Sequence, residues 1–386
     1  MKRIFSIDFA RGLVMIIMPL DHVRELMHIN SLTGGPTNLA TTTPILFFTR
    51  WITYLCAPIF VFLAGTSAYL SNKKRTASEA KKFLAKRGFW LIVLEFTLVN
   101  FGMFFDPGFH TLIFEVIGAI GAGFVILSLL LELSPSVIAM IGLVIFFGHN
   151  ISDIISFSDH SILKEILDPL ITLKVYPVSG HSVLIIAYPV IPWLGIMLLG
   201  YGSGKLFEYS DQNRKKLFTV IGILALLLFV GLRILNGYGD PVPWATQKNS
   251  LFTFLSYMNV TKYPPSLLFG LVTLGILFLI FAIVENVRGK FMDFVSVYGK
   301  VPLFYFLVHF YLVHLITIVL MLVQGFSWSQ LDFASGNFGR PKGVESGVSL
   351  GVIYIIWICV VLALYKPCAW FGKYKSTHTQ WWLKYI

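Results

Sequence analysis

Apolar runs about twenty residues long recur along this 386-residue chain, and few folds besides a bundle of membrane-crossing helices accommodate them. The hydrocarbon core of a bilayer is about 30 Å thick, which a helix crosses in about 20 residues. Lipid offers no partners to backbone N–H and C=O groups, so each span must satisfy its own. Composition excludes the soluble alternative: 56% of the residues are hydrophobic and 13% charged, where soluble domains carry about 25% charged residues. Ten helices are predicted near 9–29, 45–70, 86–104, 111–133, 135–150, 184–204, 215–235, 264–286, 299–325 and 347–366. The expected fold class is an all-α polytopic membrane protein. No linker or internal repeat divides it, so residues 1–386 read as a single integral membrane domain.

The net charge of +11 would suggest nucleic acid in a soluble protein. In a membrane protein it reflects the excess of Lys and Arg in cytoplasmic loops. With the N-terminus inside, twenty basic residues fall on the cytoplasmic side and seven outside (Lys164, Lys174, Arg233, Lys248, Lys262, Arg340 and Lys342). Both termini are therefore expected in the cytoplasm, with no nucleic-acid partner. The opening MKRIF runs straight into the first helix, and no cleaved leader is expected. The segment SNKKRTASEAKKFLAKR at 71–87 suits anionic lipid headgroups or the phosphates of a cytosolic ligand. The long connections at 151–183, 236–263 and 326–346 are candidates to cap a cavity. The first holds a potential short amphipathic helix, HSILKEILDPLITL.

The first span is unlike the others. SIDFARGLVMIIMPLDHVRELMH carries Asp8, Arg11, Asp21, His22 and Arg24, and each ionisable group near the centre of a membrane helix costs roughly 2.5–3.5 kcal/mol. At 100° per residue, Asp8, Arg11 and His22 fall within an arc of about 60°. His22 stands eleven residues beyond Arg11, about 16 Å along the axis. This stripe reads either as packing or as a buried site. In the first case Asp8 and Arg11 form an i,i+3 pair and His22 an interhelical hydrogen bond. In the second, His22 is a general base, the commonest role of histidine near neutral pH.

Asp21 and Arg24 share another face and are expected to pair. Arg50, at the outer end of span two, either holds Asp21, orients a substrate or snorkels beside Trp51. Gly65-Thr66-Ser67 suits close helix packing, with a ligand contact as the second reading. Glu95 and Glu115 need buried partners. His309 and His314 lie five apart and do not share a face. Cys56, Cys359 and Cys368 lack ligand spacing, so neither a metal site nor a disulfide framework is expected. GYGSGK at 200–205 lacks the spacing of a phosphate loop.

SIDFARGLVMIIMPLDHVRE, TRWITYLCAPIFVFLAGTSAYL and the later YPVIPWLGIMLLGYGSGKLF together resemble bacterial members of the heparan-α-glucosaminide N-acetyltransferase catalytic-domain family. More distantly, Arg11-Gly12 followed by His22 is similar to the first helix of acyltransferase family three. YGKVPLFYFLVH resembles that family's late Tyr-x-x-His block and places His309 in it. Lys82, Lys86 and Arg87 match its basic motif loosely. Opposite His22 the heparan enzyme has Asn, and its own histidine falls nearer His28.

The resemblance implies a ten-helix transmembrane acyltransferase that takes an acyl group from cytosolic acetyl-CoA. The acceptor it implies is an amine or hydroxyl on the other side of the membrane, on a sugar or glycan. The expected catalytic set is His22, Asp21, Arg50 and His309. Arg11, Asp8, Lys82, Lys86 and Arg87 are expected to bind the acyl-CoA. The implied location is the bacterial inner membrane, among lipids and in a potential homodimer. The competing class is a small-molecule transporter or flippase, which would use the same charges as a relay.

Overall fold

The computed structural model describes residues 4–153, 162–180 and 182–385. Among them, eight helical runs are long and apolar enough to cross a membrane. We number the long helices α1–α10, and these eight are α2 (Pro44–Asn72), α3 (Ala77–Phe104), α5 (Pro135–Ser152), α6 (Val190–Glu208), α7 (Asp211–Leu235), α8 (Leu267–Val284), α9 (Pro302–Val323) and α10 (Leu350–Thr377). Two further helices complete the expected series. The 23-residue α1, Phe5–Met27, is long enough but carries the charges noted above. The 15-residue α4, Val116–Leu130, is short. The chain is an all-α polytopic membrane protein.

Boundaries move where local chemistry overrides hydropathy. α2 is interrupted at Tyr54 and Leu55. α3 starts at Ala77, inside the basic segment, because Thr76 and Glu79 form a reciprocal capping box. The apolar stretch before α4 is a strand, β1 (Thr111–Phe114). It pairs in parallel with β3 (Ser182–Ile186), which pairs antiparallel with β2 (Lys174–Ser179). A short helix, Ile162–Ile171, occupies the predicted amphipathic segment, whose first two residues lie outside the described residues. Lys290–Gly299, expected as a loop, is a helix.

The charged α1 is the central element, packed against α2, α8, α9, α10 and Lys290–Gly299. Val14, Val23 and Met27 are fully buried along it. Its crossing with Lys290–Gly299 is close enough that a Cβ on Gly12 would lie 2.0 Å from the Val295 carbonyl oxygen. Gly65 and Gly200 allow the same approach between α2 and α6, where Thr66 Oγ1 donates to the Gly200 carbonyl at 2.9 Å. Around Pro19, the Ile16 carbonyl accepts from Trp357 Nε1 at 2.7 Å. α1 is thus fixed both by shape and by its own backbone oxygens.

Candidate active site

Two cavities lie along α1, named outer and inner after the orientation expected from the charge count. The outer one, about 400 Å³, is lined by His22, Asp21, Glu25, Glu115, Lys262 and Tyr188 together with apolar and aromatic side chains. Its roof comes from Thr111 and Ile113 of β1, Val183 and Ile185 of β3, and Ser335, Gly336 and Phe338. The inner one, about 310 Å³, is lined by Arg11, Ser67, Arg87, Lys300 and Lys375. Phe60, Val116 and Phe306 border both cavities and form an apolar septum between them. Arg11 and His22, at the two ends of the polar stripe, therefore face successive compartments.

His22 does not stand alone. Its Nδ1 lies 2.6 Å from Nε2 of His309, and the other ring nitrogen of His309, Nδ1, lies 3.1 Å from the Tyr305 carbonyl oxygen. This chain of contacts assigns the protons. A carbonyl oxygen only accepts, so His309 Nδ1 carries the hydrogen and donates it. In the neutral ring, His309 Nε2 is then the acceptor, and His22 Nδ1 must be the donor to it. The lone pair of His22 is left on Nε2, the tautomer a general base requires. Phe310 stacks on the His22 ring at 4.3 Å and fixes its plane.

Asp21 has a different role from the one expected. Its two oxygens are taken by Arg24, at 2.8 Å, and by Arg50. Asp21 touches neither ring of the dyad, so the partner of His22 is a second imidazole and not a carboxylate. Arg50 holds Asp21, which ties α2 to α1. His28 lies beyond the end of α1, where its carbonyl accepts from Arg340 Nη1 at 2.9 Å, and its side chain does not line the outer cavity.

In the inner cavity, Arg11 Nη1 donates to the Gly299 carbonyl at 3.1 Å and Nη2 to Ser67 Oγ at 2.7 Å. The Asp8–Arg11 ion pair forms at 3.5 Å. Ser67 thus meets a functional candidate, while Gly65 and Thr66 serve packing. Of the three expected basic residues of α3, Arg87 lines the cavity, whereas Lys82 and Lys86 are exposed and do not. Lys300 and Lys375 take their place, one just ahead of α9 and one near the end of α10. Their positions 75 residues apart gave no local pattern to read.

Two other buried ionisable side chains serve the fold. The Glu95 carboxyl oxygens accept from the backbone N–H of Gly118 at 2.6 Å and of Glu115 at 3.3 Å. They thereby cap the N-terminus of α4 from a neighbouring helix. Arg233 donates to the carbonyls of Val242, Ser256, Tyr257 and Asn259. Outside the helices, burial and the adjacent Tyr263 hold the Tyr188 phenol well above its ordinary range, so it stays a donor.

A helical membrane bundle with a histidine pair beside one cavity and basic side chains in a second has an arrangement suited to a membrane enzyme. The comparison with known families is more specific. Residues 3–239, more than half of the chain, match the model of the heparan-alpha-glucosaminide N-acetyltransferase catalytic domain, and the chain belongs to that family of transmembrane acetyltransferases. The matched region contains His22, Arg11 and Arg87 and ends before Lys262, Lys300, His309 and Lys375. No curated protein matches the chain.

Proposed function

We propose that this protein transfers an acetyl group from cytosolic acetyl-CoA to an amine or hydroxyl of an extracytoplasmic sugar or glycan. The observation that carries the reading is the tautomer forced on His22: a free Nε2 lone pair, held beside the septum that divides the two cavities. The inner cavity opens among the ends of α1, α2, α9 and α10, beside the basic segment at 71–87, which supports a cytoplasmic setting for it and for both termini. Arg11, Arg87, Lys300 and Lys375 suit the phosphates of the donor. The roughly 16 Å along α1 from Arg11 to His22 matches an extended pantetheine arm reaching past Phe60 and Phe306.

The acceptor enters the outer cavity. As its nitrogen or oxygen bonds to the thioester carbonyl carbon, His22 Nε2 takes its proton while His309 steadies the developing imidazolium through Nδ1. Collapse of the intermediate breaks the C–S bond, and the proton on His22 passes to the departing thiolate. Acetylated acceptor and CoA thiol leave to opposite sides.

The His22→Ala variant, in detergent or nanodiscs, tests this. Transfer should fall by about 10²–10⁴-fold, while acetyl-CoA still raises the thermal unfolding midpoint. Near-normal transfer by that variant refutes the role of His22. Absence of any acetyl-CoA stabilisation in the native protein favours the transporter class instead.

A further inference from the structure

The last turns of α10 carry an aromatic and basic surface that the reaction above leaves unused. Beyond Thr377 the chain doubles back along its own helix. His378 stacks on Tyr374 at 3.9 Å, Gln380 Nε2 donates to the Tyr374 hydroxyl at 3.1 Å, and Trp382 lies against Phe371 and Tyr374, each at 6.4 Å. Leu383, 4% exposed, enters the core. Tyr385 then stacks on Phe83 of α3 at 6.0 Å. Residues 378–385 thus form a hook that joins α10 to α3.

Those two helices supply Lys375 and Arg87 to the lining of the inner cavity. Phe83 stands one turn before Arg87, and Tyr374 adjoins Lys375. Among the described residues, none of 378–385 lines the cavity itself. The hook therefore fixes the two cations relative to each other from behind the cavity wall.

Its outward side is unlike a solvated surface. Trp370 and Trp381 are 62% and 67% exposed. Lys366, Lys373 and Lys384 are exposed on the same stretch, as are Lys82 and Lys86 on either side of Phe83. No acidic residue lies between Lys366 and Tyr385. Beside this part of α3, Glu79 is engaged in the capping box with Thr76, and Glu132 pairs with Lys81 at 3.5 Å. Open indole faces are costly in water and mark contact surfaces. A soluble anion would satisfy the lysines and leave the indoles uncovered. The headgroup layer of a bilayer meets both, since Trp and Tyr settle at its hydrocarbon boundary and Lys meets lipid phosphate.

We propose that the hook docks on anionic lipid headgroups, and that this docking, by keeping Tyr385 on Phe83, holds Arg87 and Lys375 in register for the donor. The docking needs only the membrane fold; its effect on the donor rests on the acyl-transfer reading.

The full chain in nanodiscs of phosphatidylcholine, with or without phosphatidylglycerol, provides the test. Tryptophan fluorescence is recorded with acyl-chain bromines on one lipid or the other, and the part due to Trp381 is the difference between the native protein and Trp381→Phe. Brominated phosphatidylglycerol should quench that part more than brominated phosphatidylcholine at equal mole fraction. Lys373→Gln combined with Lys384→Gln should remove the difference, each lysine being worth about fivefold in lipid preference. Equal quenching by the two lipids, or none by either, overturns the docking. Glycerol 1-phosphate, the soluble headgroup, should leave the Trp381 signal unchanged in phosphatidylcholine; a response equal to that of the lipid places a soluble anion there and also overturns it. With acetyl-CoA, KM should be about fivefold lower when phosphatidylglycerol is present, and the double lysine variant should lose that gain with little change in kcat. A KM indifferent to phosphatidylglycerol overturns the link between hook and cavity. If acetyl-CoA neither binds nor reacts in either membrane, the acyl-transfer reading fails, and the quenching alone decides the docking.

Discussion

His309 offers the sharpest perturbation, because it touches the base without occupying the substrate space. His309→Ala removes the acceptor for the His22 Nδ1 hydrogen. A buried donor left without a partner costs about 1–3 kcal/mol. His22 avoids that cost by moving its hydrogen to Nε2, and the base-competent tautomer becomes the minor one. An inversion of that size makes only about one part in 5 to one in 150 of the enzyme active, and kcat should fall by the same factor.

KM for acetyl-CoA should stay within about twofold, since none of Arg11, Arg87, Lys300 and Lys375 is disturbed. His309→Gln, whose side-chain oxygen can accept the same hydrogen, should recover part of the loss. Initial rates with radiolabelled acetyl-CoA, separated into kcat and KM, provide the assay. Full activity in His309→Ala would refute the tautomer argument, as would a loss expressed only in KM or one that Gln does not relieve.

Arg87→Ala should raise KM for acetyl-CoA about tenfold through loss of a charge-assisted contact, with kcat at saturation reduced far less; an unaltered KM would place the phosphates elsewhere. Arg340 is 1% exposed and donates to the His28 carbonyl, Ser31 Oγ and Ser346 Oγ at 2.9, 2.6 and 3.1 Å. Arg340→Ala should lower stability by about 3 kcal/mol, visible as a lower unfolding midpoint in detergent, and Arg340→Lys should recover little because an ammonium cannot span the fork.

Hydropathy made the long helices legible because lipid imposes one length on all of them. It could not reveal β1 or β3, since a half-buried run at a cavity roof is as apolar as a run buried in lipid. The site was legible in proportion to its locality. Arg11 and His22 share one helix face, and 100° per residue was enough to align them. The His22–His309 pair spans 287 residues, and no spacing rule links α1 to α9; the late Tyr-x-x-His block suggested only that His309 belonged nearby. Asp21 was read correctly as a partner for Arg24, and its helical phase already pointed it away from the stripe. Lys262 and Arg340 were counted as ordinary outside charges, because a sum of Lys and Arg does not distinguish a solvated side chain from a buried one.

The septum explains why the base sits where it does. The two cavities, each lined by apolar walls with a few charged side chains, leave Phe60, Val116 and Phe306 as the barrier between them. Phe306 is also part of the packing that holds the dyad: its ring meets His309 edge-on at 5.7 Å and Phe310 at 5.2 Å, and Phe310 covers His22. In the proposed reaction a thioester arm would cross at this septum, where a displaced Phe306 ring would press on the residues that set the plane of His22. In a close-packed interior such contacts transmit displacement. Under that reaction, donor arrival and the aim of His22 would be linked through Phe306, and the septum would separate water in the outer cavity from a thioester still in the inner one.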